Sequence, residues 1–141
     1  MYSSKCVRKG VRVSAKPRAL VIDDDIAIRI LVSRVLTREG FTVDAARDGA
    51  EAIEKIVQHD YDVIALDLMM PRIDGIGVVR YLGEHRPEAL SNVIVMTAFG
   101  ASALPKVCPP VVRFLEKPFD IDALLAEAMG CLSGESPRTT R

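Results

Sequence analysis

The chain contains no apolar run approaching the ~20 residues that a membrane-crossing helix needs, so a helical membrane span is excluded. Its first residues, Met1-Tyr2-Ser3-Ser4-Lys5, lack the apolar centre of a secretory signal peptide. Cysteine is sparse: Cys6, Cys108 and Cys131 form an odd, scattered set without metal-ligand spacing. That argues against a disulfide scaffold and fits a reducing, cytoplasmic setting. Acids are missing from residues 1–18, which hold Lys5, Arg8, Lys9, Arg12, Lys16 and Arg18. The formal net charge of zero therefore hides a split. Without these six bases the remainder has 13 bases against 19 acids, a net charge of −6.

What is present fits one domain, and 141 residues suffice for a sizeable core. Residues 1–18 show no sustained helical period and read as a basic flexible arm. A solvated extension, or a start codon placed too early, is the plainer account of that arm; contact with an acidic partner or nucleic acid is the functional one. Residues 133–141 read as a flexible C-terminal tail. The folded domain is then expected over residues 19–132.

Across that span apolar runs alternate with helical spacing. Ala19 to Ile22 is a first strand, and Ile28, Leu31, Val32, Val35 and Leu36 follow a helix that Gly40 stops. Phe41 to Ala46 is a second strand. A second helix starts near Gly49, with Ile53, Ile56 and Val57 expected on its inner face. Asp62 to Asp67 is a third strand. A third helix starts near Asp74, a good N-cap residue, and is expected to bury Val78, Val79 and Leu82. Asn92 to Met96 and Val111 to Leu115 are strands four and five. A last helix carries Ile121, Leu124, Leu125, Ala128 and Leu132. Strands separated by helical crossovers imply a parallel α/β sheet, doubly wound, with helices on both faces.

Chemistry gathers at the carboxyl ends of those strands. Asp23-Asp24-Asp25 follow strand one, Asp67 ends strand three, Thr97 follows strand four and Lys117-Pro118 follow strand five. In open parallel sheets ligands bind beyond these ends, so the residues are expected in one crevice. Repelling carboxylates held together call for a cation, and hard oxygen ligands suit Mg²⁺. One of the three leading acids, Asp25 by position, is expected to cap the first helix. Arg47-Asp48-Gly49 reads as a plain turn. His59 and His85 fall at helix ends, away from the crevice.

Five pieces in order, Leu20-Val21-Ile22-Asp23-Asp24, Ala65-Leu66-Asp67-Leu68-Met69-Met70-Pro71, Asp74-Gly75, Met96-Thr97-Ala98 and Lys117-Pro118-Phe119, make the chain resemble the receiver domain of two-component response regulators. The resemblance covers residues 19–132. It implies the flavodoxin-like five-stranded sheet in the order 2-1-3-4-5. It also implies roles. Asp67 would be the phosphoacceptor. Asp23, Asp24, Asp67 and the backbone carbonyl of Met69 would hold Mg²⁺. Thr97 would hydrogen-bond a phosphoryl oxygen, and Lys117 would pair with the phosphorylated carboxylate. Phe114 falls where the family has an aromatic switch residue. The donor would be a phosphohistidine on a sensor histidine kinase or a histidine phosphotransfer protein. The expected role is a stand-alone cytoplasmic response regulator with no DNA-binding domain. It would be a switch rather than a turnover enzyme, passing its signal to a protein target, with a homodimer among the assemblies it allows.

One departure concerns the fourth helix. Pro105, Pro109 and Pro110 lie between Thr97 and Lys117, and a proline inside a helix costs about 3 kcal/mol. A helix between Phe99 and Pro110 is therefore expected to be short or irregular. Two other functions share parts of the pattern. A haloacid-dehalogenase-type phosphatase would use Asp23 as nucleophile and leave Asp67 unexplained. A receiver-like scaffold would bind partners without phosphorylation.

Overall fold

The computed structural model describes residues 16–68, 75–97, 112–117 and 119–134. Five parallel strands, β1 (Arg18–Ile22), β2 (Thr42–Ala46), β3 (Val63–Asp67), β4 (Val93–Thr97) and β5 (Arg113–Glu116), form one sheet in the order β2-β1-β3-β4-β5. This is the flavodoxin-like order expected from the sequence. The helices are α1 (Ile26–Arg38), α2 (Gly49–Gln58), α3 (Gly75–His85) and α4 (Ile121–Ser133), and a 3₁₀ turn at Pro87–Asn92 leads into β4. The expected proline-broken helix between Phe99 and Pro110 lies outside the described residues. So do residues 1–15, residues 135–141, Met69 and Asp74.

Side-chain alternation along each strand builds two cores. Leu20, Ile22, Ile64, Leu66, Val93 and Val95 face α2 and α3. Ala19, Val21, Val63, Ala65, Ile94 and Met96 face the other way, toward α1 and α4. Every residue of β3 and β4 is buried, as the central strands of a sheet covered on both faces must be.

Helix limits follow local chemistry. Asp25 caps α1, its carboxylate accepting from Ala27 N at 2.9 Å and Ile28 N at 3.3 Å. Gly40 adopts φ +102°, a left-handed conformation that closes α1 while Phe41 N donates to Leu36 O at 3.1 Å. The sequence reading of Arg47-Asp48-Gly49 as a plain turn understates it. Asp48 is the N-cap of α2 and accepts from Glu51 N, while the Glu51 side chain accepts from Arg47 N, both at 2.9 Å.

One inward assignment, Val57, is corrected, and three other apolar residues at helical spacing also face outward. Leu31, Val57, Ile121 and Leu132 are exposed, between 43% and 57%. Helical spacing marks an apolar stripe, and only part of each stripe is covered. Ala52, and on α4 Glu127 and Gly130, take the inner places instead. Arg18 opens β1 instead of closing the basic arm: its guanidinium meets Asp44 at 3.1 Å, and Pro17 O accepts from Thr42 N. Ser133 closes α4 instead of opening the tail.

Candidate functional site

The strand ends place the acids. Asp23 directly follows β1, where its N–H still donates to Ala46 O of β2 at 3.1 Å. Asp67 is the last residue of β3, in register with Met96. Thr97 ends β4 opposite Glu116, and Lys117 follows β5, tied to Thr97 by a 2.6 Å bond from its N–H to the Thr97 carbonyl. The sheet thus delivers Asp23, Asp24, Asp67, Thr97 and Lys117 to a single edge. The carbonyl of Met69 lies outside the described residues.

Within this crevice one carboxylate oxygen each from Asp23, Asp24 and Asp67 lie within 4.8 Å of one another. Asp23 and Asp67 are buried and Asp24 is exposed. The Lys117 ammonium sits 3.2 Å from Asp23 Oδ2 and 3.8 Å from Asp67 Oδ2, with its side chain 22% exposed. Among the described residues three carboxylates face one ammonium. The excess of negative charge is what a divalent cation would neutralise, and hard oxygen donors fit Mg²⁺.

The backbone closes in around Asp67. Gly75, the first residue of α3, donates its N–H to Leu68 O at 3.0 Å. A Cβ there would lie 2.5 Å from both Asp67 O and Leu68 Cα. Only glycine lets α3 start this close to the strand that carries Asp67. Thr97 is buried at 3% exposure, and its hydroxyl-bearing side chain ends the neighbouring strand. Phe114 is buried on β5, in register with Val95.

Sequence reasoning missed Arg29. Its Nη1 donates to the backbone carbonyl of Asp23 at 2.8 Å. The available signal was a cation in the first turns of a helix, where the helix dipole disfavours it. It also missed the buried ion pair of Arg113 with Glu127, at 3.2 Å, which joins β5 to α4. The signal there was Gly130, whose hydrogen stands where a Cβ would come within 2.6 Å of Arg113 Nη1. Beside that pair, burial pushes the Cys131 thiol up to about 11, with the Arg113 charge opposing the rise.

The response regulator receiver domain family matches residues 19–129 of the chain. The chain belongs to that family. Response regulator MprA of Mycobacterium sp. (strain KMS) is 36% identical over 125 residues, which cover 85% of this chain and 52% of MprA. The chain thus spans about half the length of the curated relatives it matches. Among solved structures, the receiver domain of Francisella response regulator 1452 superposes with a TM-score of 0.72 at 30% identity, covering 84% of this chain and 98% of that one. Response regulator TrrA of Thermotoga maritima, solved in complex with Mg²⁺-BeF, gives a TM-score of 0.73 at 29% identity, covering 82% and 98%. The order of strands and the edge on which the acids gather are those the receiver resemblance implies. Among the described residues no helix is long and apolar enough to cross a membrane.

Proposed function

We propose that this receiver domain works in phosphorelay signalling by accepting a phosphoryl group on Asp67. The donor is a phosphohistidine on a sensor histidine kinase or a histidine phosphotransfer protein. The observation that carries the reading is the charge imbalance at the strand ends: three carboxylates, with Asp67 and Asp23 sharing one lysine. A carboxylate oxygen of Asp67 forms the new O–P bond as the N–P bond of the phosphohistidine breaks. The electron pair of that bond stays on the imidazole nitrogen, which takes a proton from water. No general base is needed, because the attacking carboxylate is already ionised.

The chain's own groups position the reaction. Lys117 lies where its ammonium can leave Asp67 for an oxygen of the bound phosphoryl group. The Thr97 hydroxyl donates to another such oxygen. Phosphoryl transfer is governed by this kind of positioning and charge neutralisation. Asp23, Asp24 and Asp67, with the Met69 carbonyl, would hold Mg²⁺, which when bound neutralises charge on the transferring group. Phe114 and Thr97 serve as the switch pair that reports the new state to a protein partner. The domain acts on its own Asp67, so it is a switch in the cytoplasm and not a turnover enzyme.

A phosphatase nucleophile at Asp23 is disfavoured by its surroundings. That side chain is fully buried, with Oδ1 accepting from Asp25 N at 2.9 Å and Oδ2 held by Lys117. The test is incubation with a small acyl phosphate donor and Mg²⁺. The wild-type chain should gain one phosphoryl group by intact mass. Asp67→Asn, or excess chelator, should abolish the gain. Equal labelling of Asp67→Asn would end the proposal, and no labelling of the wild type would favour a scaffold.

A further inference from the structure

Asp23 is held at every polar atom it owns. Its N–H donates to Ala46 O, its Oδ1 accepts from Asp25 N, its Oδ2 faces Lys117, and its carbonyl accepts from Arg29 Nη1. The carbonyl bond is unlike the others. It comes from a side chain six residues on, and it fixes the plane of the peptide that links Asp23 to Asp24. Those two residues supply two of the three carboxylates of the crevice.

The placement of Arg29 runs against helix electrostatics. Its N–H makes an early bond of α1, to Asp25 O at 2.9 Å. A cation in that position faces the positive end of the helix dipole. Side chains on a helix lean toward its N-terminus, so Arg29 can reach back over the first turn to the carbonyl. A charge-assisted bond from guanidinium to carbonyl offsets the unfavourable dipole contact. Repelling acids would otherwise turn this peptide and let the Asp24 side chain swing into solvent.

We infer that Arg29 is a positioning residue for the cation site: it clamps the Asp23–Asp24 peptide so that the Asp24 carboxylate stays turned toward Asp67. The inference rests on the crevice being an Mg²⁺ site. It carries a sign that electrostatics alone would reverse. Arg29 adds positive charge near the crevice, so removing that charge should tighten cation binding if charge were its only influence. If it is a clamp, removing it weakens binding in spite of the lost repulsion.

The experiment is calorimetric titration of the unphosphorylated protein with Mg²⁺, comparing wild type, Arg29→Met, Arg29→Gln and Asp24→Asn. Melting without metal checks that each variant is folded. Arg29→Met should bind Mg²⁺ about fivefold more weakly than wild type: loss of a charge-assisted bond, roughly tenfold or more by itself, is partly offset by the lost repulsion. Arg29→Gln, which keeps a neutral donor but no charge, should also bind more weakly. Tighter or unchanged binding by a folded Arg29→Met or Arg29→Gln would overturn the clamp while leaving the Mg²⁺ site standing. A wild type that binds no Mg²⁺, or an Asp24→Asn that binds as well as wild type, would overturn the site and the clamp together.

Discussion

Two clusters of charge lie near strand β5, one beyond its carboxyl end and one between it and α4, and they are built on different logic. At the strand ends, Asp23, Asp24 and Asp67 outnumber Lys117. Against α4, Arg113 and Glu127 match one to one at 3.2 Å, with side chains 2% and 5% exposed. Among the described residues the first cluster holds more carboxylates than ammonium groups, a surplus that a cation would neutralise. The second is closed, and Gly130 has given up its side chain to make room for it. Buried charge by itself therefore does not mark the proposed site; the surplus of carboxylates over ammonium among the described residues does.

The largest effect should come from breaking the matched pair. Arg113→Met or Glu127→Leu alone strands a buried charge and should cost about 3–5 kcal/mol by denaturant unfolding. The double variant should recover most of that loss, since well-packed apolar replacements of a buried pair are often neutral or better. Singles that cost no more than the double would mean that the pair is not coupled.

Next in size is Gly75→Ala. The added Cβ meets backbone, not a movable side chain, so α3 must shift away from Asp67. Overpacking of this kind costs about 1–3 kcal/mol. The same variant should slow phosphorylation more than Gly83→Ala, where nothing lies within 4 Å of the new Cβ.

Removing charge from the open cluster should act in the opposite direction from removing it in the closed one. Asp24→Asn relieves repulsion and should stabilise the metal-free protein by up to about 1 kcal/mol, because Asp24 is exposed and screened. It should also abolish the rise in melting temperature that Mg²⁺ gives the wild type. A destabilised Asp24→Asn would erase the contrast between the two clusters.

The smallest effect concerns pH. Burial raises the Cys131 thiol from 9.0 to about 11, so the folded protein holds this proton where the unfolded chain has released it. Tyr61 is raised as well, first by burial and then by its bond to Asp44 at 2.7 Å. Both contributions are present below the unfolded values; that of Cys131 fades as pH climbs past 9 toward 11, and that of Tyr61 begins to fade only above 10. Asp44 runs the other way. Burial would raise it, but bonds from Tyr61 and Arg18 and the Arg18 charge hold it below 3.8, so its contribution is lost on acidification through that lower value. Melting temperature against pH should fall at both extremes, and Cys131→Ala should blunt the alkaline fall. Cys131 should also react slowly with iodoacetamide at neutral pH, since its thiol remains protonated.

Much of this was legible in the sequence. Apolar runs such as Val63-Ile64-Ala65-Leu66 announce strands buried on both faces, and acids directly after them announce the crevice. The cap at Asp25 followed from its place before a helical period. The pair Arg113–Glu127 was not legible, because its partners lie 14 residues apart on different elements and each looks like a surface residue in isolation. Arg29 was missed because its role is played against a backbone carbonyl, which no residue type reveals. Val57 was misplaced because periodicity marks a stripe, while the width of the buried face is set by the packing of neighbouring elements.

The most direct test of the open cluster is to trap the labelled protein. After phosphorylation by an acyl phosphate, borohydride reduction converts an aspartyl phosphate to homoserine, and peptide mapping then locates it. Homoserine is expected at position 67 and at neither 23 nor 24. Homoserine at position 23, or a phosphoryl group on a residue outside the strand-end crevice, would contradict the assignment of phosphoacceptor function to Asp67.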